Sequence, residues 1–140
     1  MNRTRTRVLS SQHESVGALL VTARQDIVAS RNESYPNEAV GIICADGDVY
    51  PLINQARSAH RFSVGETLVG EAINHLKYRG KMPVAVYHSH PESASDPSQH
   101  DQAMMQEMPG AVFVIVGSDG IAAWMWDEEL VFIAKIPLED

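Results

Sequence analysis

The run Val84-Ala85-Val86 is short and apolar, follows Pro83, and passes directly into Tyr87-His88-Ser89-His90-Pro91. Such a run reads as a buried strand, and Pro91 closes it because proline has no N–H to give to a ladder. The strand therefore ends in His88 and His90. Residues two apart on a strand project from one face, roughly 6–7 Å apart along the chain, so the two imidazoles can converge on one ion. Any fold for this chain has to seat a buried strand whose exit carries two imidazoles on one side.

Ten residues separate His90 from Asp101, and Asp96-Pro97-Ser98 reads as the start of a helix with Ser98 or Asp96 as its N-cap. Asp101 then lies in the first helical turn. Two histidines and an aspartate suit a borderline divalent ion such as zinc, with the fourth tetrahedral position left to water, which is a site built for hydrolysis. Two plainer readings compete. Ser98-x-x-Asp101 is also a capping box, and a His-x-His pair at a strand end can simply mark the way out of the core. The combination at this spacing favours the metal site. A metallo-β-lactamase-like site would need Asp and His where Glu92 and Ser93 stand. Amidohydrolase-type His-x-His sites sit in a barrel of about 250 residues, whereas this chain has 140.

His88-Ser89-His90-Pro91, six residues, then Ser98-Gln99-His100-Asp101 resembles the motif of the JAMM (MPN-plus) zinc metallopeptidases, in its compact prokaryotic or viral form. The resemblance implies one zinc per chain, held by His88, His90 and Asp101, and a role for Ser98 in stabilising the oxyanion. The family motif also has an upstream Glu on a P-x-E-x-x-G turn, matched by Pro36-Asn37-Glu38-Ala39-Val40-Gly41. Taken alone, Glu38 reads as a solvated acid at a loop–strand junction. The resemblance makes it the general base. His100 is a neighbour of Asp101 and points about 100° away on a helix, so it is left out of the ligand set.

Around this motif, 44% apolar composition in 140 residues suits a single domain over 13–140 that buries about two-thirds of its unfolded surface. Residues 1–12, with Arg3, Arg5 and Arg7 between threonines, read as a flexible tail or an edge strand; no secretory signal or membrane span is recognisable there. A net charge of −7 argues against a nucleic-acid partner. Cys44, the single cysteine, reads as a core strand residue and fits a reducing compartment, so the expected localisation is cytoplasmic, with no membrane partner.

Apolar residues at helical spacing predict a first helix from His13 to about Arg31 and a second over Gly65–Tyr78. Strands are expected at Ala39–Cys44, at Val49–Ile53 returning antiparallel to it, and as a meander over Ala111–Val116, Ile121–Trp126 and Leu130–Ile136. Between them, His60 reads as a surface residue and Phe62 and Val64 as a short edge strand. Ser98–Met108 is a short helix whose methionines read as adaptable core, and Trp124 and Trp126 share one face and read as core packing. This order gives an α+β sandwich with a mixed, largely antiparallel sheet flanked by helices, which is also what the JAMM fold looks like.

For function, the resemblance implies a zinc-dependent hydrolase of peptide or isopeptide bonds, with a ubiquitin-like or sulfur-carrier protein ending in Gly-Gly as substrate. Two glycines would let an extended backbone approach the metal where side chains would clash. The alternative is a phage-tail-associated or cell-wall peptidase acting on peptidoglycan peptides. A non-catalytic scaffold is disfavoured, because Glu38, His88, His90, Ser98 and Asp101 all stand in the chain.

Overall fold

The structure, a computed structural model, describes residues 2–52 and 66–140, with side chains at 14–52 and 69–140. Its elements in order are α1 (Asn2–Ser34), β1 (Val40–Cys44), β2 (Val49–Leu52), α2 (Glu66–Tyr78), β3 (Pro83–Ser89), α3 (Gln99–Glu107), β4 (Val112–Gly117), β5 (Gly120–Trp126) and β6 (Leu130–Ile136). The strands form one six-stranded sheet in the order β2-β1-β3-β4-β5-β6. Only β3 and β4 run parallel; the other neighbours are antiparallel. The expected α+β class with a largely antiparallel sheet is the one observed.

Strand pleating explains the layers. Alternate residues face opposite ways, so Ile43, Tyr87, Val114 and Val116 pack with Leu20, Ala23 and Ile27 of α1, while Ile42 and Cys44 pack with Leu76 of α2 on the other face. β1 is buried on both sides, as its unbroken apolar run requires. Tyr87 is the largest fully buried side chain, and its hydroxyl lies 2.8 Å from Ser30 Oγ on α1. Gly41, its partner across β1 and β3, leaves room for that ring: a Cβ there would sit 2.4 Å from Tyr87 Cε2.

Two boundaries differ from expectation. α1 reaches back to Asn2, so residues 2–12 continue the helix instead of forming a tail or edge strand. A nucleated helix propagates readily through arginines, which are good helix formers. β3 ends at Ser89, and His90 follows it, although the His90 N–H still donates to the Val116 carbonyl at 2.8 Å. The expected edge strand at Phe62 and Val64, and His60, fall outside the described residues. Among the described residues, no helix is long and apolar enough to cross a membrane.

Candidate metal centre

The site forms where β1, β3 and α3 meet. His88 is the penultimate residue of β3, and its side chain points to the face opposite α1, along with Val84 and Val86. Ser98 caps α3: its Oγ accepts from the Asp101 N–H at 3.0 Å, and its own N–H donates to Asp101 Oδ2 at 3.0 Å. The capping box is thus real, and it does not compete with the metal reading. It holds the Asp101 carboxylate so that the same Oδ2 lies 2.9 Å from His90 Nε2, while Oδ1 lies 3.1 Å from His88 Nε2. The two imidazoles meet at 3.2 Å, Nε2 to Nε2. All three residues are buried, and His100 is exposed.

This geometry asks for a cation. His90 Nδ1 lies 2.7 Å from the Ala94 carbonyl oxygen, which can only accept, so Nδ1 carries the hydrogen. The Nε2 of the neutral ring then holds a lone pair, yet it faces a carboxylate oxygen and a second imidazole nitrogen. Lone pairs at such separations need a proton or a metal ion among them. The two imidazole nitrogens, 3.2 Å apart, are close to the roughly 3.3 Å edge of a tetrahedron with ~2.0–2.1 Å metal–ligand bonds, and each has one Asp101 oxygen within 3.1 Å. His88, His90 and Asp101 can hold a metal ion, and the Ala94 carbonyl fixes the tautomer of one ligand as partners outside the ligand set commonly do.

The protonation energetics point the same way. Burial pushes the His88 pKa down and outweighs its hydrogen bond to Asp101. For His90, burial also opposes protonation, but the hydrogen bond with Asp101 and the Ala94 carbonyl prevail and raise its pKa. Burial works against the charge on Asp101 as well, and the hydrogen bonds with His88 and His90 overcome it, holding the carboxyl below the usual carboxylate range.

Glu38 reaches the site through strand register. β1 and β3 pair with Val40 opposite His88, so two residues further along Glu38 comes to stand across from His90. The Ala39 backbone anchors this extension, donating its N–H to Ser89 Oγ at 2.7 Å and accepting from the Ser89 N–H at 3.0 Å. Glu38 is only 2% exposed, so it is not the solvated acid that its position alone suggests. Burial pushes its pKa up to about 8, with His90 pulling down and Asp101 adding to the rise. A cleft of about 410 Å³ opens over Glu38, His90, Pro91, Glu92 and Ser98. Glu92 also accepts from the Tyr35 hydroxyl at 2.9 Å. Neither Tyr35 nor Glu92 carries a sequence signal of its own, because their pairing joins residues 57 apart.

Comparison with known proteins gives the family and the fold. The chain is similar to a protein named desampylase from Haloferax volcanii, 30% identical over 127 residues, which cover 79% of this chain and 89% of that protein. A solution structure of a Desulfitobacterium hafniense protein shares the fold, with a TM-score of 0.70 and 22% identity over 84% of this chain and 90% of that one. Residues 20–127 match the family described as prokaryotic homologs of the JAB domain, and they include Glu38 and the whole His88–Asp101 stretch. The chain belongs to that family, the compact prokaryotic branch of the JAMM/MPN group.

Proposed function

We propose that this protein is a zinc metallopeptidase that hydrolyses a peptide or isopeptide bond after the Gly-Gly tail of a ubiquitin-like or sulfur-carrier protein. The observation that carries this reading is the convergence of the buried His88, His90 and Asp101 beside a buried Glu38, with His90 and Glu38 lining one open cleft. The relative named desampylase supports the hydrolase class and a ubiquitin-like protein as the substrate. A borderline nitrogen–oxygen donor set with three protein ligands suits catalytic zinc, one ion per chain. With substrates of this kind, the enzyme would work in the cytoplasm.

His88 and His90 would give their Nε2 atoms to the ion and Asp101 a carboxylate oxygen. Once bound, zinc would polarise the scissile carbonyl and make water more acidic. Glu38 is the general base. With a cation bound at the neighbouring His88, His90 and Asp101, Glu38 would stay ionised in spite of its burial. Glu38 takes a proton from the attacking water as the water oxygen bonds to the carbonyl carbon. It delivers that proton to the leaving nitrogen as the C–N bond breaks, giving a carboxylic acid and an amine, and the acid's proton then passes to the amine to leave a carboxylate and an ammonium. Ser98 Oγ already accepts from the Asp101 N–H, which leaves its hydroxyl hydrogen free to donate to the developing oxyanion.

The test pairs metal content with turnover of a Gly-Gly-linked fusion, in the wild type and in Glu38→Gln. One zinc in each, with turnover lower by about 10²–10⁴-fold in the variant, is the expected result. Zinc without turnover in either would refute this substrate and direct attention to muropeptides. No zinc in the wild type would refute the site.

A further inference from the structure

The loop from His90 to Ser98 lies against the turn between β4 and β5, and the contact is made mostly of backbone. Gly117 ends β4 directly beneath the loop: a Cβ on it would stand 2.4 Å from Ser95 N, 2.5 Å from Ala94 C and 2.8 Å from Ser93 O. Backbone cannot move aside as a side chain can, so only glycine lets the loop dock this closely. Ser118 donates its N–H to the Ser93 carbonyl at 2.9 Å. The Trp124 indole donates to the Ser95 carbonyl at 3.0 Å. Asp119 Oδ1 accepts from the Ser95 N–H at 2.8 Å, and its Oδ2 pairs with Lys135 Nζ at 2.6 Å.

The Ser95 N–H and the Ala94 carbonyl belong to one peptide unit, and that carbonyl is the acceptor for His90 Nδ1 at 2.7 Å. An accepted N–H polarises its own peptide carbonyl, so the carbonyl becomes a better acceptor at its far end. The peptide is also planar, so fixing the direction of its N–H fixes the direction of its C=O. Carboxylate–histidine–metal triads place an acid directly on the ligand's free nitrogen. Here one peptide unit stands between the acid and the ring.

We infer that Asp119 is a positioning residue for the metal centre, acting on His90 through the Ala94–Ser95 peptide, with Lys135 holding the opposite side of its carboxylate. The inference rests on the metal reading of His88, His90 and Asp101. Its consequence is that a residue on a hairpin outside the ligand set tunes metal affinity. A merely structural Asp119 would affect stability and leave affinity alone.

Titrating the chelator-treated full chain with Co²⁺, followed by visible absorption, tests it, with thermal melting of the metal-free protein alongside. Asp119→Ala is expected to weaken Co²⁺ binding by about 10-fold, at the low end of the range for partners outside the ligand set. Asp119→Asn keeps an acceptor for the Ser95 N–H and is expected to stay within about 3-fold of wild type, because it retains that one bond. Lys135→Met leaves the Asp119–Ser95 bond in place and is expected to bind as wild type does. If Asp119→Ala fails to fold, Asp119→Ser replaces it, since the shorter hydroxyl cannot reach Ser95. Wild-type affinity in the folded alanine or serine variant overturns the inference alone, as does an equal loss in Lys135→Met. No Co²⁺ uptake by the wild type overturns the metal reading, and the inference with it.

Discussion

The paired strands β1 and β3 carry a charged cluster at each end, and the two clusters behave differently. At the Cys44 end, Lys81 Nζ lies 2.9 Å from Asp46 and 2.5 Å from Asp48, with those carboxylates about half exposed. At the other end, Glu38, His88, His90 and Asp101 are all buried. Exposed pairs gain little, because water screens them and long side chains lose freedom in making them. Buried ionisable groups cost stability unless something compensates, so four of them gathered at one end of the sheet mark a candidate functional site. The Lys81 cluster, helped by the Ala45 N–H bond to the Met82 carbonyl at 2.8 Å, does no more than tie two turns together.

Three experiments sharpen the contrast. The largest effect is expected from Asp101→Asn, which keeps a side chain able to cap α3 while removing the charge that the two imidazoles face. It should abolish metal retention after dialysis, and with it turnover, while far-UV circular dichroism stays that of the wild type. Retained metal would mean that the Asp101 carboxylate is not needed as a ligand and serves only to cap α3.

A smaller effect is expected in the pH dependence of stability of the metal-free protein. The folded pKa of Glu38, about 8, lies above the unfolded value of about 4.3. The folded state then binds the extra proton between these values. The stabilisation is complete below the unfolded pKa and is lost as pH rises through the folded one. Relative to wild type, Glu38→Gln should lack this decline when urea melts are compared from pH 5 to pH 9. Parallel curves for the two proteins would show that Glu38 is not desolvated in solution.

The smallest effect belongs to the exposed end. Lys81→Ala should leave metal content and turnover unchanged, with a slight drop in melting temperature that fades at high salt. A loss of turnover would show that the two ends communicate along β1 and β3, and the contrast would fail.

Much of this was legible from local pattern. The meander of β4, β5 and β6, helix α2 and strand β3 follow from apolar periodicity and turn residues, which depend on near neighbours. Ser98-x-x-Asp101 is readable both as a cap and as part of a metal site; the fold makes the cap and brings Asp101 to the two histidines with which it could hold an ion. Trp124 illustrates the limit: its place on a strand face suggested core packing, whereas its indole N–H holds the Ser95 carbonyl, 29 residues away. Nothing within a few residues of Trp124 encodes that partner.

What the sequence determined by itself is the chemistry on offer: two imidazoles at a strand exit, a carboxylate in a first helical turn, and an acid ahead of an apolar strand. Tertiary structure alone decided how these groups meet. The register of β1 on β3 brings Glu38 across from His90, burial turns an apparently solvated acid into a desolvated one with a raised pKa, and a loop docked on Gly117 connects Asp119 to His90 through one peptide. Register and loop docking are set by pairings between distant segments, and local periodicity carries no record of them.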